Sequence, residues 1–135
     1  MIDSNYSDAV TERFDRAPHA GGPGAEAAGV GRAGSAADGA VVEISLEIEA
    51  GRVRAARFRA FGCPHTIAAA SRLAERIEGR AVTALDAPCA AALAAELGVP
   101  AAKLGRLLIV EDALAAAVAD FRDRQALPAT LAAIE

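Results

Sequence analysis

The chain is 135 residues long, enough for one domain with a respectable core. Its formal net charge of -4 and pI near 5.2, with the basic residues scattered, exclude a surface that tracks nucleic-acid phosphates. No apolar run reaches the length of a bilayer span, the opening Met-Ile-Asp-Ser-Asn-Tyr lacks signal-peptide character, and two distant cysteines make no disulfide framework, so a reducing cytoplasm is the expected setting.

Tyr6 to Phe14 predicts a short helix capped by Ser7, with Tyr6, Val10 and Phe14 on one face. Residues 17–36 follow as a flexible Gly/Ala-rich loop containing Pro18 and Pro23. Around Gly29-Val30-Gly31 a short edge strand fits equally well. No basic or phosphate-cradling pattern accompanies these glycines, and His19 among them has no functional pattern around it.

Val41 to Glu49 alternates, with Val42, Ile44, Leu46 and Ile48 on one face and mostly acidic residues on the other. Arg52 to Phe61 is a second strand, with Ala56, Phe58 and Ala60 inward and Arg57 and Arg59 outward. Of the registers open to a hairpin turning at Gly51, a three-residue loop sets Phe58 against Ile44 and Ala56 against Leu46, matching apolar faces; a slip of one residue would not. Arg59 then lies across from Glu43. Continuing the ladder sets Gly39 opposite Cys63, which brings Asp38 and Cys63 to one sheet edge with His65 two residues on.

Cys63 stands where a strand gives way to a helix, and Pro64 suits the first helical position. The partial positive charge of such a helix end favours a thiolate, the form that binds metal or attacks sulfur. Ile67, Ala70, Ala74 and Ile77 give this helix its apolar stripe, ending near Gly79, while Arg72, Glu75, Arg76 and Glu78 are expected in water. Asp86 is the expected cap of the next helix, which runs to Leu97 and carries Cys89 on a core-facing side. Lys103 to Arg124 predicts the longest helix, with Glu111, Asp112 and Asp120 pointing away, and residues 126–135, interrupted by Pro128, form a short tail.

Several pieces of this order are specific: Tyr6-Ser7 with Phe14, Pro18 and Gly21; Ala56-Arg57-Phe58 through Phe61-Gly62-Cys63; Glu96-Leu97 with Pro100 and Lys103; and Val110-Glu111-Asp112-Ala113-Leu114. Together, over most of the chain, they resemble the IscU/NifU N-terminal type of iron-sulfur cluster assembly scaffold. The resemblance implies an α+β fold, a small antiparallel β-sheet of about three strands covered on one face by helices, within a single domain spanning residues 1–135. It also implies iron or an iron-sulfur cluster as the bound species, and cysteine desulfurase and other cluster-assembly proteins as partners.

Cluster-building members resemble one another in supplying three cysteines assisted by an aspartate and a histidine, because thiolates match the softness of iron. Matched onto this chain, Cys63 stands as the middle cysteine. Asp38 stands at the first, Ala40 at the aspartate, and Gly105 and Arg106 at the histidine and last cysteine. One thiol of three is retained. The candidate ligands are therefore Cys63, Asp38 and His65, with zinc as a further candidate metal and a second copy in a homodimer, or a partner, as the source of missing ligands.

Each residue also has a plainer role. Asp38 before a strand bonds its own turn, Arg106 is solvated or pairs with Glu111 or another carboxylate, and Cys89 packs in the core. Three functions stay open: a scaffold or carrier binding iron or a cluster near Cys63 and Asp38, a metal-free interaction partner of the assembly machinery, and a single-thiol persulfide acceptor. Enzymatic turnover is not expected, since no nucleophile triad, spaced carboxylate pair or phosphate loop is present.

Overall fold

The computed structural model describes residues 6–134, with side chains as far as Ala126. Ser7 lies in extended backbone before α1 (Asp8–Arg16), and its Oγ accepts from the Val10 N–H at 3.1 Å. The same hydroxyl donates to the Leu97 carbonyl, tying the start of α1 to a helix end ninety residues away.

Three strands, β1 (Gly29–Ser35), β2 (Ala40–Glu49) and β3 (Arg52–Phe61), make one antiparallel sheet in that order. Phe58 pairs with Ile44, Ala56 with Leu46 and Arg59 with Glu43, the register expected from the apolar faces. Its cause differs from expectation. The turn has two residues, not three: Glu49 pairs with Arg52 across Ala50 and Gly51, whose φ values of 52° and 74° match the turn geometry that follows strand twist. The register then shifts between Glu47 and Ile48, leaving Arg54 as the extra residue of a bulge. That bulge keeps Ile44, Leu46, Ala56 and Phe58 on the buried face.

Of the two readings of Gly29-Val30-Gly31, the edge strand is the one the structure adopts. The glycines there serve close approach. A Cβ on Gly31 would stand 2.1 Å from the Ala117 backbone nitrogen, and one on Gly29 would stand 2.4 Å from the Ala117 carbonyl oxygen. Bare backbone lets the last helix lie directly on β1. Earlier in the same segment, His19 and Gly21 exchange backbone hydrogen bonds with Phe58 along the other side of β3.

Helices α2 (Pro64–Ile77), α3 (Ala90–Leu97) and α4 (Leu104–Ile134) complete the fold. Helix α4 packs on β1 and β2, and α2 packs on β3. Ile44, Leu46, Leu73, Leu93, Leu107 and Val110, each at most 1 % exposed, form the centre of the core. On the sheet's other face, Arg59 grips Glu43 with two hydrogen bonds of 2.8 and 3.0 Å.

Two helix boundaries correct the sequence reading. Asp86 does not cap α3: Pro88 holds Ala87 extended, so the helix begins only at Ala90, with Cys89 as its N-cap. Asp86 instead pairs with Arg122 at 3.0 Å. Helix α4 continues past Arg124 through Pro128 to Ile134, since strong helix formers flank the proline and its ring removes only one N–H.

Three carboxylates expected in water hold backbone instead. Glu111 accepts from the Cys89 and Ala90 N–H groups at 2.6 and 3.0 Å, capping α3 from across the fold. Asp120 accepts from the Val30 N–H at 2.8 Å, and Glu78 from the Ala56 N–H at 3.1 Å. Each satisfies a donor that the sheet or helix leaves open. Among the described residues no helix is long and apolar enough to cross a membrane.

Candidate functional site

Cys63 is the N-cap of α2, with φ -74° and ψ 167°, and Pro64 follows at the first helical position, as its sequence predicts. The thiol is half-buried and lies 3.6 Å from the Thr66 hydroxyl. Burial is the largest single influence on it and pushes its pKa up. Hydrogen bonds from the Thr66 backbone and hydroxyl and from the His65 backbone, with the Lys103 charge, together outweigh burial and hold the thiol below its ordinary value. A partly accessible cysteine in such an electropositive setting has the character of a reactive thiol.

His65 shares this first turn, but its ring is buried, only 3 % exposed, and packs on Tyr6 with ring centroids 4.7 Å apart. Neither ring nitrogen has a hydrogen-bond partner. Burial first and the Lys103 charge second lower its pKa, so the imidazole is neutral at physiological pH. Lys103 thus acts on both residues. It lies forty residues downstream, in the short 3-10 turn Ala101–Lys103 before α4, and its part here is not readable from spacing.

Asp38 is exposed and occupied. Its Oδ2 accepts from the Ser35 hydroxyl at 2.8 Å, and its own N–H donates to Ser35 Oγ at 3.1 Å, closing the turn between β1 and β2. Among the described residues, Arg106 pairs with neither Glu111 nor another carboxylate: at the solvent-exposed edge it donates to the Asp38 carbonyl. Its guanidinium lies across Gly39, where an added Cβ would meet Nη1 at 3.0 Å and Nη2 at 3.2 Å. Gly39, at φ 77°, is two residues before Val41, and Cys63 is two residues after Phe61, the residue paired with Val41.

The predicted ligands therefore fall into two groups. Cys63 and His65 share the mouth of α2, while Asp38 belongs to a turn held by Ser35 and Arg106. Among the described residues, no three His, Cys, Asp or Glu side chains gather so as to hold a metal ion. Cys89, expected in the core, is half-buried against it at the mouth of α3. Burial, and then the Glu111 charge, raise its thiol to about 11.

With this geometry in hand, the relatives are informative. The NifU-like N terminal domain family matches residues 5–127. Iron sulfur cluster assembly protein 1 of Trachipleistophora hominis is 30% identical over 125 residues, covering 91% of each chain. The iron-sulfur cluster assembly scaffold protein IscU of Azotobacter vinelandii is 30% identical over 125 residues, covering 90% of this chain and 98% of that protein. Among solved structures, the N-terminal NifU-like protein of Brucella abortus has a TM-score of 0.69 at 19% identity, covering 87% of this chain and 94% of that one. A putative SUF-system scaffold of Fervidobacterium islandicum has a TM-score of 0.67 at 14% identity, covering 84% and 96%. These two establish shared fold, the three-stranded sheet with its helical layer. On the length of the profile match and the identity of its relatives, this chain belongs to the NifU-like N-terminal domain family.

Proposed function

We propose that this protein works in iron-sulfur cluster assembly as a scaffold-type protein, with Cys63 as the point where the cluster or its components attach. The observation that carries this reading is the Cys63 thiol, held below its ordinary pKa at the mouth of α2 in a chain of this family. Such a cluster is held to protein by four ligands, mostly thiolates. One copy offers Cys63 and, at most, the turn-bound Asp38, so completion of the set falls to a second copy or to a partner. Cysteine desulfurase and other cluster-assembly proteins are the partners this role requires. Its work is holding and passing a cargo, and both free cysteines suit a reducing compartment, for which we propose the cytoplasm.

Protein purified without oxygen and incubated with ferrous iron, a sulfur source and a cysteine desulfurase tests the reading. Iron and acid-labile sulfide are expected on the wild type and on Cys89→Ser, and absent from Cys63→Ser. Equal loss in both variants would refute the assignment; zinc in place of iron would identify the same thiol holding a different ion.

A second reading rests on the depressed thiol itself. In it, the Cys63 thiolate attacks the outer sulfur of a donor persulfide, forming a Cys63 persulfide and releasing the donor's thiolate. Intact-mass analysis would show one added sulfur on Cys63 and no bound iron. A protein that takes up neither species would be a metal-free interaction partner.

A further inference from the structure

The outer face of the sheet sorts its charges by depth. Arg32, Glu43 and Arg59 pair across all three strands, and the two guanidiniums close over the carboxylate at 3.5 and 2.8 Å. Only 9 % of the Glu43 side chain meets solvent, against 69 % of Arg32 and 57 % of Arg59. A guanidinium has five N–H donors, and Arg59 gives two nitrogens to Glu43, so each arginine keeps donors for a group in front of the sheet. Farther along, Arg57 stands over Glu47 at 3.6 Å, and exposed Glu26 and Glu49 offset Arg54. In the next outward-facing row on the opposite side stands Phe61, paired with Val41. It is 64 % exposed, the most exposed large apolar side chain among the described residues. Phe61, Val41 and Ala60 line a hollow of about 270 Å³ together with Arg32, Glu43 and Arg59.

We propose that this face docks a partner protein whose surface sets carboxylates around a protruding apolar side chain. The apolar side chain enters the hollow against Phe61 and Val41, and the carboxylates meet Arg32 and Arg59. This goes beyond the proposed role of Cys63 and does not depend on it. The charge count selects the class of partner. Two guanidiniums over one carboxylate leave one net positive charge, far short of the cluster of about four to eight basic residues that reads lipid headgroups or tracks phosphates. Forked donors held in place by a buried acid instead suit single carboxylates at close range. An aromatic ring flanked by arginines is also the composition of protein interfaces. A second copy docking through the same face would set guanidinium against guanidinium, which repels.

The test titrates nitrogen-15-labelled full-length protein with a synthetic peptide of alternating Asp and Glu around one central Leu, following amide chemical shifts at low salt. The shifts are expected to centre on Arg32, Val41, Arg59 and Phe61. Phe61→Ser is expected to weaken binding about tenfold, and Phe61→Leu, which keeps an apolar side chain, to restore most of it. Arg32→Gln leaves Arg59 on Glu43 and is expected to cost about threefold. The same peptide with Ser in place of Leu should bind as weakly to the wild type as the original does to Phe61→Ser.

No binding to the wild type, or equal binding to the wild type and to Phe61→Ser with an intact circular dichroism spectrum, would overturn the proposal. So would equal binding of the serine peptide. Tighter binding of oligothymidylate or of phosphatidylserine vesicles at the same residues would identify a phosphate-reading surface instead. A wild-type dimer in sedimentation velocity that Phe61→Ser dissociates would identify a second copy as the occupant, and either result would refute an acidic partner. The iron and sulfide content of Cys63→Ser is unaffected by all of these outcomes and decides the reading of the thiol separately.

Discussion

Cys63 and Cys89 hold the same post, N-cap of a helix, and their thiols move in opposite directions. At α2 the sulfur lies 3.6 Å from the Thr66 hydroxyl, and the Thr66 and His65 backbone and the Lys103 charge hold its pKa down. At α3 the first N–H groups are taken by the Glu111 carboxylate, which leaves Cys89 with burial and a neighbouring anion. A helix mouth favours a thiolate only where its donors are free to reach the sulfur. Position along a helix is thus a weaker guide to cysteine chemistry than the question of what already occupies its first turn.

The largest expected contrast is in reactivity. At neutral pH, the thiolate fraction of Cys63, whose pKa is held down, should exceed that of Cys89, raised to about 11, by more than the lower intrinsic nucleophilicity of the more acidic thiol takes back. Alkylation followed by peptide mass analysis should therefore label Cys63 first, by about tenfold or more. Equal labelling would erase the distinction between the two helix mouths.

Removing the carboxylate that separates them should come next in size. Glu111→Ala strips two N–H groups of α3 of their acceptor and is expected to cost about 1–2 kcal/mol, read in urea unfolding. In the same variant the Cys89 thiol should titrate lower than about 11 and alkylate faster, while Cys63 is unaffected. Stability lost with no change at Cys89 would show that burial alone sets its pKa.

Lys103→Gln tests the other side. The Cys63 pKa should rise, slowing its alkylation about two- to fivefold, and added salt should mimic the substitution in the wild type. The smallest effect concerns His65, whose folded pKa lies below its unfolded value. Its contribution to stability is present above about pH 6.5 and is lost as pH falls through the lower folded value, because the unfolded chain takes up the proton first. His65→Phe should flatten that part of the stability profile. An unchanged slope would mean that the ring is not buried neutral beside Cys63.

Much of this site was legible in the residues. The strand that ends at Phe61, the Gly62-Cys63-Pro64 joint and the register that matches Phe58 to Ile44 are local, and local patterns of alternation and backbone restriction specify them. Asp38 was legible in its turn role, though not in its attachment to Arg106. What stayed hidden were side chains acting across distance. Lys103 reaches Cys63 from forty residues away, and Glu111 and Asp120 read as solvent-facing because helical spacing gives a face but not its neighbour. The glycines of β1 were ambiguous for a related reason, since looseness and close packing both call for a missing Cβ.

By itself, the sequence determined the β2–β3 hairpin, the helix order and the placing of a thiol at a helix mouth, because these depend on periodicity and on the fixed φ of a proline, while the family was carried by the resemblance of its motifs. Tertiary structure alone decided which thiol is activated and which is silenced, and put a guanidinium over Gly39. Those outcomes depend on charges and donors brought together from separate elements, and Coulomb and hydrogen-bond energies follow distance in space, not separation along the chain.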